Sequence, residues 1–327
     1  MNSAIVVLNW NDWRNTIDCL ESIYQNDGNF DVFLIDNGSN LQNILKVLSW
    51  YKGEIISNIT FIKPGLKKRG EFIFMNHKNN IFDIKKNNRN LYIFRNKDNL
   101  GLTAGLNLAY NFLIRNNYNQ ILRIDNDFII QKNYFKRISS AIKSKDIVSA
   151  SPKIMHAYIK KSVWFKGFKM RWSYLKFQRT MNLKKKRHFD NENLSKVVDT
   201  DVISGCCSIY KTNVLKKSGL GDEDFFYGPE DIELSYRLKK YGRLICDQKI
   251  KTFHKIGRSS AVANRLDRTF QSTYGFLILI KKIGTFSDKL IGYSYFILRG
   301  FLYFLIENDR NKKKGYIKAL IKFFIKK

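Results

Sequence analysis

The stretch AIVVLNWNDWRNTIDCLESIYQNDGNFDVFLID, residues 4–36, decides the fold. Its apolar run at residues 4–8 is typical of a buried strand, and the run at 31–36 is typical of a second one. Between them the sequence predicts a helix from about residue 13 to residue 25. A strand, a helix and a strand in this order are characteristic of a parallel sheet covered by helices. The stretch therefore predicts an α/β fold.

The same alternation continues after an interruption. Strands are predicted at residues 91–94 and 120–124, with a helix between them at 103–115. The interruption, about residues 53–90, is rich in Lys and Asn and holds two weak apolar runs, ITFI and EFIFM. This composition predicts an inserted hairpin or excursion from the sheet.

The composition indicates a folded protein with an anionic partner. Hydrophobic residues make up 44% of the 327 residues and charged residues 26%, which argues against extensive disorder. Lys and Arg total 58 against 28 Asp and Glu, a formal net charge of +30. Such an excess suggests nucleic acid, a membrane surface or a phosphorylated substrate. The four cysteines show no CxxC spacing, so neither a disulfide framework nor a zinc site is expected.

The segment ILRIDNDFII, residues 121–130, places two carboxylates, Asp125 and Asp127, at the end of a predicted buried strand. Burying charge there is costly unless a cation compensates it. Carboxylates two residues apart can converge on one hard cation, Mg²⁺ or Mn²⁺, together with a diphosphate. The alternative is an Asp-rich turn without a ligand, and the pair alone does not decide between the two.

Two further segments follow predicted strands. Asp36 ends the strand at 31–36, at the edge where open α/β sheets bind ligands, and its carboxylate can accept the imide N–H of a pyrimidine base. Alternatively, it forms an Asx-turn that caps the next helix. The segment NLGLTAGLN, residues 99–107, opens a helix with small residues that let a ligand approach the backbone, or it is an ordinary strand-to-helix turn. It matches neither a dinucleotide-binding fingerprint nor a P-loop.

The segment GPEDIELSYRLKKYG, residues 228–242, predicts a helix that starts near Glu230 and stops at Gly242. Asp231 lies three residues before Leu234 and so heads the face predicted to pack inward. It is either a favourable charge at a helix N-terminus or a general base aimed into a cleft. The predicted inward stripe consists of Leu234, Leu238 and Tyr241, and the predicted outward ion pair of Glu233 and Arg237.

His254 follows a strand-like stretch in the segment TFHKIGRSS, residues 252–260. A lone histidine is more often a surface or core residue than a ligand. It becomes a candidate metal ligand only if a metal lies beside it, so the segment by itself leaves both interpretations open.

Seven segments occur in a fixed order, most of them at predicted strand ends or helix starts. They are IVVLNWN (5–11), LIDNGSN (34–40), NLGLTAGLN (99–107), RIDND (123–127), SGCCSIYK (204–211), GPEDIELSYRLKKYG (228–242) and TFHKIGRSS (252–260). Together they resemble the family 2 inverting glycosyltransferases of GT-A fold, particularly bacterial rhamnosyltransferase-like members, over about residues 3–260. The resemblance implies one nucleotide-diphospho-sugar-binding domain with a mixed central sheet, and transfer of a sugar to an acceptor hydroxyl with inversion.

The resemblance also implies roles for individual residues. Asp127 would be the direct ligand of Mn²⁺ or Mg²⁺, with Asp125 nearer the ribose and a metal-bound water, and His254 matches a position that supplies another metal ligand in some members. Asp231 would be the base that deprotonates the acceptor hydroxyl, while Glu230 would orient the acceptor. Asp36 would recognise the base of the donor nucleotide. The other residues expected to bind the donor nucleotide are Asn9, Trp10, Asn11, Asn99, Gly101, Gly105 and Asn107.

The C-terminal part is expected to be a helical, basic extension, residues 266–327, after a transferase domain at residues 1–265. Residues 290–306 form an apolar stretch shorter than the roughly 20 residues that span a bilayer, and predict an interfacial or buried helix. Residues 315–327 predict a basic amphipathic helix that either lies on an anionic membrane, where a lipid-linked acceptor would be found, or docks on the domain. Its predicted apolar positions are Tyr316, Ile317, Leu320, Ile321 and Phe324, and its predicted basic ones are Lys314, Lys318, Lys322 and Lys326.

These observations together predict a metal-dependent hexosyl- or deoxyhexosyltransferase. It would use a UDP- or dTDP-linked sugar and a glycan or lipid-linked acceptor in the synthesis of a bacterial surface polysaccharide, such as lipopolysaccharide or capsule. The apolar run at residues 4–8 is too short for a signal peptide, so a cytoplasmic protein, peripheral at the inner face of the cell membrane, is expected.

Two alternatives compete with this prediction. A sugar nucleotidyltransferase shares the architecture, but its Gly-rich loop is missing after the first predicted strand. A nucleic-acid-binding protein is suggested by the net charge and by the basic, aromatic segment at residues 160–188. That class leaves Asp36, Asp125, Asp127 and Asp231 unexplained, so no nucleic-acid partner is expected.

Overall fold

The computed structural model describes residues 2–57, 71–75, 88–170, 188–190, 196–255 and 265–325. Much of the insert predicted at residues 53–90, most of the basic, aromatic segment after residue 170, and the end of the segment TFHKIGRSS lie outside the described residues. Lys326, predicted on the basic face of the last helix, lies outside them as well.

A mixed sheet forms the centre of the molecule, as predicted. Its strands within the described residues are β1 (Ser3–Asn9), β2 (Asp31–Asn37), β3 (Phe72–Met75), β4 (Leu91–Asn96), β5 (Gln120–Asp125), β6 (Phe128–Ile130), β7 (Ile147–His156), β8 (Ser162–Phe165), β9 (His188–Phe189), β10 (Val197–Asp199), β11 (Cys207–Lys211) and β12 (Arg243–His254). The order across the sheet is β10, β12, β7, β11, β5, β1, β2, β4, β3. From β5 to β3 all neighbours are parallel, whereas β11 runs antiparallel to both β5 and β7.

Helices cover both faces of this sheet. In the described part they are α1 (Trp13–Tyr24), α2 (Leu41–Lys52), α3 (Leu102–Arg115), α4 (Tyr134–Ala141), α5 (Thr212–Ser218), α6 (Glu230–Leu238), α7 (Arg265–Ile283), α8 (Phe286–Ile306) and α9 (Arg310–Phe324). Along β1, Ile5 and Val7 belong to the apolar layer that contains α1 and α2, whereas Ala4 and Val6 belong to the layer that contains α3 and α6. Successive strand residues point to opposite faces, so a strand covered on both sides is apolar throughout.

The described part of the insert forms an additional strand of the sheet. Gly53 ends α2 in the left-handed conformation, with φ of 88°, and β3 later pairs in parallel with β4. Strands joined in a hairpin are antiparallel, so the prediction of a hairpin does not apply to the EFIFM run. The run instead adds to the open edge of β4, where unpaired backbone N–H and C=O groups accept another strand.

Helix α6 differs from its predicted pattern. It ends at Leu238 rather than at Gly242, because the Tyr241 N–H bonds back to the Leu238 carbonyl in a tighter turn. Tyr241 is consequently exposed and does not belong to the inward stripe. The Glu233–Arg237 pair is formed at 2.7 Å, but Glu233 is buried, because Arg237 also donates to carbonyls of the preceding loop. The prediction of an outward pair was therefore wrong.

The last helix docks on the helices before it. Gly315, Tyr316 and Ala319 of α9 are buried, and Tyr316 belongs to an apolar cluster with Leu277 of α7 and Phe296 of α8. Ile321 and Phe324, predicted on the same apolar face, are exposed. Small residues decide this outcome, because Gly315 and Ala319 allow close helix contact that periodicity alone does not predict.

Helix α8 exposes much of its apolar surface. It has 21 residues, longer than the stretch predicted at residues 290–306, and its buried residues are Gly292, Phe296 and Gly300. Of the two alternatives predicted for this stretch, a buried helix is excluded and an interfacial helix stays a prediction. Among the described residues, α8 is the one helix whose length and composition would suffice to cross a membrane.

Candidate active site

The ends of the parallel strands bring the predicted site residues to one edge of the sheet. Asn9 ends β1, Asp36 lies next to the end of β2, and Asp125 ends β5. In the parallel ladders Asn9 pairs with Asp36, and Leu8 pairs with Asp125. The carboxyl ends of adjacent parallel strands are where open α/β sheets bind ligands, so the fold gathers these side chains at the expected place.

The Asp36 carboxylate is held by fixed neighbours. Asn9 donates from Nδ2 to Asp36 Oδ1 at 3.0 Å, and Asn9 Oδ1 accepts a hydrogen bond from the Thr16 hydroxyl at 2.9 Å. Arg95 Nε lies 3.4 Å from Asp36 Oδ2, which accepts no hydrogen bond from the described residues. Burial raises the pKa of Asp36, and hydrogen bonds from Ser39 and the charge of Arg95 oppose this shift. Oδ2 therefore faces the Arg95 guanidinium without a hydrogen bond, and a ligand's N–H would have to take the place of Arg95 there.

Residues 9–11, which lie beside Asp36, are hydrogen-bonded to the loop that follows β2. The Asn11 N–H donates to the Ser39 hydroxyl at 2.8 Å, and Asn11 Oδ1 accepts from the Asn40 N–H at 2.9 Å. Asn11 adopts a left-handed conformation with φ of 51°, which asparagine tolerates better than most residues. Asn9 and Asn11 thus fix the loop that carries Asp36, while Trp10 lies partly exposed between them.

The predicted donor-binding segment at the start of α3 is tied to β2 and to the loop before α6. Asn37 Nδ2 donates to Asn99 Oδ1 at 2.8 Å and to the Gly101 carbonyl at 3.0 Å. A Cβ atom on Gly101 would lie 2.6 Å from the Phe226 ring, and one on Gly105 would lie 3.0 Å from Leu8 Cδ1. These glycines allow close backbone packing in the structure.

Asn107 reaches the same loop. It donates from Nδ2 to the Gly221 carbonyl at 2.8 Å and to Glu223 Oε1 at 2.9 Å, and its Oδ1 accepts from the Gly221 N–H at 3.0 Å. The structure therefore gives Asn107 a positioning role for residues 219–229, and its donor contact stays a prediction.

The two carboxylates of the RIDND segment occupy different surroundings. Asp125 ends β5, and burial raises its pKa to about 6, with Arg123 opposing the shift and Asp127 adding to it. Asp127 Oδ2 lies 3.1 Å from His254 Nε2, so β12 brings the predicted third metal ligand to the second carboxylate. The His254 ring stacks on Phe128 with a centroid distance of 4.4 Å, which fixes its orientation. The structure thus places His254 beside Asp127, and its role as a metal ligand stays a prediction.

These side chains fit a divalent cation that is bound together with a diphosphate. Asp127 supplies a carboxylate oxygen and His254 an imidazole nitrogen, and Asp125 lies two residues before Asp127. Mn²⁺ accepts both kinds of ligand. Mg²⁺ is usually bound by one or two carboxylates together with substrate phosphates. The described residues hold no group of three or more His, Cys, Asp or Glu side chains arranged for a metal. Oxygen atoms of the donor would therefore have to complete the coordination.

The pair Glu230 and Asp231 begins α6, next to β11. The Gly205 N–H donates to Asp231 Oδ2 at 3.2 Å, and a Cβ atom on Gly205 would lie 2.9 Å from Asp231 Cβ. Burial, and after it the negative charge of Glu230, raises the pKa of Asp231. A carboxylate with a raised pKa is a better proton acceptor, which suits a general base.

Arg123 links the two acidic pairs, and sequence reasoning missed it. This residue of β5 is buried; its Nε lies 3.3 Å from Asp125 Oδ1, and its Nη2 lies 3.6 Å from Glu230 Oε1. A charged residue inside the apolar run QILRID was the available signal, because a buried cation requires anionic partners. One of those partners lies far along the chain, where spacing gives no information.

We expect Arg123→Met to change the pH dependence of activity and to lower the melting temperature. Without the guanidinium, Asp125 and Asp231 lose the positive charge that lowers the pKa of both carboxyls, so the acid limb of the rate profile moves to higher pH. Arg123→Lys keeps the positive charge and should restore part of both effects. Thermal unfolding and a pH–rate profile of both variants test this expectation. An unshifted acid limb in a folded Arg123→Met protein would contradict it.

Two aromatic side chains precede Glu230 and are exposed. Phe226 and Tyr227 are 41% and 51% accessible, and the Phe226 carbonyl accepts the Leu102 N–H at 2.8 Å. Partial burial raises the pKa of Tyr227, and the charges of Cys206, Glu230 and Asp125 add to this shift. Sequence reasoning missed both residues, although they adjoin the GPED segment.

Comparison with known proteins supports the fold. No protein-family model and no curated protein sequence matches the chain. Among solved structures, GalNAc-T7 with UDP, GalNAc and Mn²⁺ is similar with a TM-score of 0.59 at 12% identity, over 98% of this chain and 54% of that one. Residues 1–349 of S. aureus TarS are similar with a TM-score of 0.54 at 14% identity, over 99% of this chain and 80% of that one.

The same TarS segment in complex with UDP-GlcNAc has a TM-score of 0.52 at 15% identity, over 99% of this chain and 80% of that chain. This protein spans about half the length of the GalNAc-T7 chain, which it matches over 54% of that chain. At these identities the likeness concerns the fold. The protein has the architecture of GT-A-type glycosyltransferases, with C-terminal helices added, as the sequence predicted.

Proposed function

We propose that the protein transfers a sugar from a nucleotide-diphospho-sugar to an acceptor hydroxyl, with inversion at the transferred carbon. The observation that carries this proposal is the gathering of Asp36, the Asp125–Asp127 pair and Asp231 at one edge of a GT-A-type sheet. Crystal structures of the neighbours include one with UDP, GalNAc and Mn²⁺ and one with UDP-GlcNAc, which supports a UDP- or dTDP-linked donor by analogy.

Asp36 recognises the pyrimidine base in this proposal. Its Oδ2 atom is the buried acceptor left without a hydrogen bond, and uracil and thymine both present an imide N–H. Asp36 has no exposed surface, so the base reaches it only when neighbouring side chains move. Arg95 lies against the carboxylate and donates to the Ser39 carbonyl at 3.3 Å, and its side chain is 39% exposed, so in this proposal it is the neighbour that moves when the base binds.

We expect Asp36→Asn to weaken UDP binding by roughly 10- to 100-fold, the loss of one hydrogen bond to a charged group. The Thr16 hydroxyl fixes the orientation of the Asn9 amide, so Asn9 still donates to the side-chain oxygen of residue 36. The NH₂ group of the introduced asparagine must then occupy the place of Asp36 Oδ2. A donor would then face the imide N–H. Isothermal titration with UDP measures the effect, and Asp98→Asn, which removes an exposed carboxylate from the same edge, serves as the control. Equal affinity of Asp36→Asn and wild type would contradict the assignment.

Asp127 and His254 would hold Mn²⁺ or Mg²⁺, with Asp125 on the side of the ribose. When bound, such a cation offsets the negative charge of the diphosphate as it leaves. Lys255 is positioned by the same segment, since its N–H donates to the Asp127 carbonyl at 2.9 Å. Because Lys255 follows His254 directly, this bond helps to hold the two proposed ligands, Asp127 and His254, side by side.

Asp231 takes the proton from the acceptor hydroxyl. The acceptor oxygen then attacks the sugar carbon from the face opposite to the diphosphate, which inverts the configuration. Glu230, fixed by Arg123, orients the acceptor, and the exposed rings of Phe226 and Tyr227 offer it an apolar surface. An acceptor sugar presents C–H groups as well as hydroxyls, which suits such a surface beside acidic groups.

The finer assignments rest on the sequence resemblance. We place the chain among the family 2, rhamnosyltransferase-like enzymes, with a glycan or lipid-linked acceptor in bacterial surface polysaccharide synthesis, at the cytoplasmic face of the membrane. The resemblance covers the segments from residue 5 to residue 260, and it supports a hexose or deoxyhexose as the transferred group.

A panel of nucleotide sugars, assayed with Mn²⁺ and with EDTA, tests the proposed function. Sugar transfer releases a nucleoside diphosphate, and NMR of the product reports inversion at the anomeric carbon. A nucleotidyltransferase would instead form or consume pyrophosphate. Tight, salt-dependent RNA binding without binding of any nucleotide sugar would refute the proposal in favour of a nucleic-acid-binding protein.

A further inference from the structure

The outward face of α8 is a continuous apolar surface. At 1.5 Å per residue the helix is about 30 Å long. Its exposed apolar side chains run from one end to the other: Phe286, Leu290, Ile291, Ile297, Leu298, Phe301, Leu302, Phe304, Leu305 and Ile306. Ser287 and Ser294 are the exposed polar residues between them. Contiguous exposed apolar surfaces of this kind mark interaction sites, whereas single exposed apolar residues do not.

The inward face of α8 packs against the rest of the protein, mainly against α9. Gly300 lets α9 approach so closely that a Cβ atom there would lie 2.7 Å from Leu320 Cδ1, and the Tyr316 hydroxyl donates to the Phe296 carbonyl at 3.0 Å. Arg299 lies on this inward side, with its guanidinium 5.2 Å from the centroid of the Tyr303 ring. If α8 crossed a bilayer as a separate helix, it would expose this charge to lipid. The packing instead keeps α8 lying along the protein surface.

Charge at the two ends of α8 indicates what covers the apolar face. Residues 281–325 hold ten Lys or Arg and three Asp or Glu. Exposed cations flank both ends, with Lys281 before the helix and Arg310 and Lys314 after it. The three acids have local roles: Asp288 completes the capping box of α8, Glu307 pairs with Lys312 at 3.3 Å, and Asp309 caps α9. The C-terminal end therefore carries excess positive charge, whereas at the N-terminal end Lys282 is paired with Asp222 and Asp224 and Lys281 is the exposed cation.

This charge pattern favours an anionic lipid surface over a second copy of the chain. Two copies joined through α8 in parallel would bring their cationic C-terminal ends together, which is unfavourable, and an antiparallel pair would set each cationic end against an end without excess negative charge. Anionic headgroups neutralise the exposed Lys and Arg side chains while the acyl region accepts the Leu, Ile and Phe side chains. The sequence left α9 either on a membrane or docked on the domain, and the structure shows it docked, whereas α8, expected to be interfacial or buried, presents the larger apolar face.

We infer that α8 lies flat in the headgroup region of a bilayer that contains anionic lipid, with its outward face toward the acyl chains. This contact is independent of sugar transfer and does not require that α8 cross the membrane. Because α7 packs against the loop before Asp231, the membrane contact and the acidic pair belong to one packed unit.

Flotation of the full chain with vesicles tests this inference. Wild type should float with vesicles of phosphatidylcholine and phosphatidylglycerol and much less with phosphatidylcholine alone, and added salt should reduce the bound fraction. Leu298→Asn combined with Phe301→Asn should lower binding by about tenfold or more, because two side chains lose their burial in lipid. Both residues are more than half exposed, at 61% and 62%, so the variant should fold.

The matched control replaces two exposed apolar residues on another helix, Leu41→Asn with Leu45→Asn on α2, and should bind like wild type. Circular dichroism of both variants checks their folding. Wild-type protein that stays with the unbound fraction in the presence of phosphatidylglycerol overturns the inference, as does unchanged binding of the α8 variant. A dimer that the α8 substitutions dissociate, without any vesicle binding, would assign the face to a second copy instead.

Discussion

Asp231→Asn is expected to lower the turnover number for sugar transfer by about 10²- to 10⁴-fold, the range that a positioned general base contributes. Donor affinity should change little, because the Asp231 carboxylate at the start of α6 accepts the Gly205 N–H, whereas the carboxylate proposed to hold the base, Asp36, is held by Asn9. An asparagine keeps an oxygen for the Gly205 N–H but has no basic site for the acceptor proton. Steady-state kinetics together with titration of UDP separates the two effects.

The pH dependence gives a second measure of the same substitution. The base works only as a carboxylate, and burial with the nearby Glu230 charge raises the pKa of Asp231. Transfer by wild type should therefore fall as the pH drops through a value above the ordinary aspartate pKa of about 3.9. Asp146→Asn removes an exposed carboxylate that is paired with Arg243 on another part of the surface, and should leave turnover unchanged. Undiminished turnover by Asp231→Asn would refute the assignment of the base.

Asp127→Asn should reduce transfer by about 100-fold or more at a fixed Mn²⁺ concentration, because loss of a direct ligand should cost at least as much as the 10- to 100-fold seen for outer-shell partners. The substitution also removes the charged partner of His254, whose Nε2 lies 3.1 Å away. Titration of UDP with and without Mn²⁺ supplies a readout other than activity. In wild type Mn²⁺ should tighten UDP binding, and in Asp127→Asn this gain should largely vanish.

Asp146→Asn serves as the control, since Asp146 is an exposed carboxylate paired with Arg243 on another part of the surface. His254→Gln should give a smaller loss than Asp127→Asn, because it replaces a neutral ligand and leaves the carboxylate in place. Equal UDP affinity of wild-type protein in Mn²⁺ and in EDTA, with full transfer in EDTA, would exclude a metal at this site.

The local pattern predicted the strands and the acidic residues at their ends well. Residues 4–8, 31–36 and 120–124 are apolar enough to be buried on both faces, and the structure places them in adjacent parallel strands. Side chains at the carboxyl ends of such strands share one edge of the sheet. The position of Asp36 and Asp125 at that edge therefore follows from the order of strands and helices. The proximity of His254 to Asp127 was expected only from the resemblance, because no local pattern relates residues so far apart along the chain.

What the pattern missed depends on tertiary packing. Arg123 interacts with Glu230, a residue on a helix of a later part of the chain, so its role becomes visible only in three dimensions. Glu233 was expected to face outward. The loop whose carbonyls accept hydrogen bonds from Arg237 instead covers the Glu233–Arg237 pair. In α8, apolar residues occupy most of the circumference, so periodicity does not indicate which side is covered. The glycines Gly292 and Gly300 mark the covered side.

The contact between α7 and the loop before α6 sets an order of assembly. Gly275 lies so close to Gly228 that a Cβ atom there would overlap the Gly228 carbonyl oxygen, and Lys282 pairs with Asp222 and Asp224 of the same loop at 2.5 and 2.6 Å. During synthesis, the segment with Asp231 leaves the ribosome before α7 exists. The base therefore gains its final support only after residue 282 has been added, which delays completion of the acidic pair until the helices that carry the apolar surface are being made.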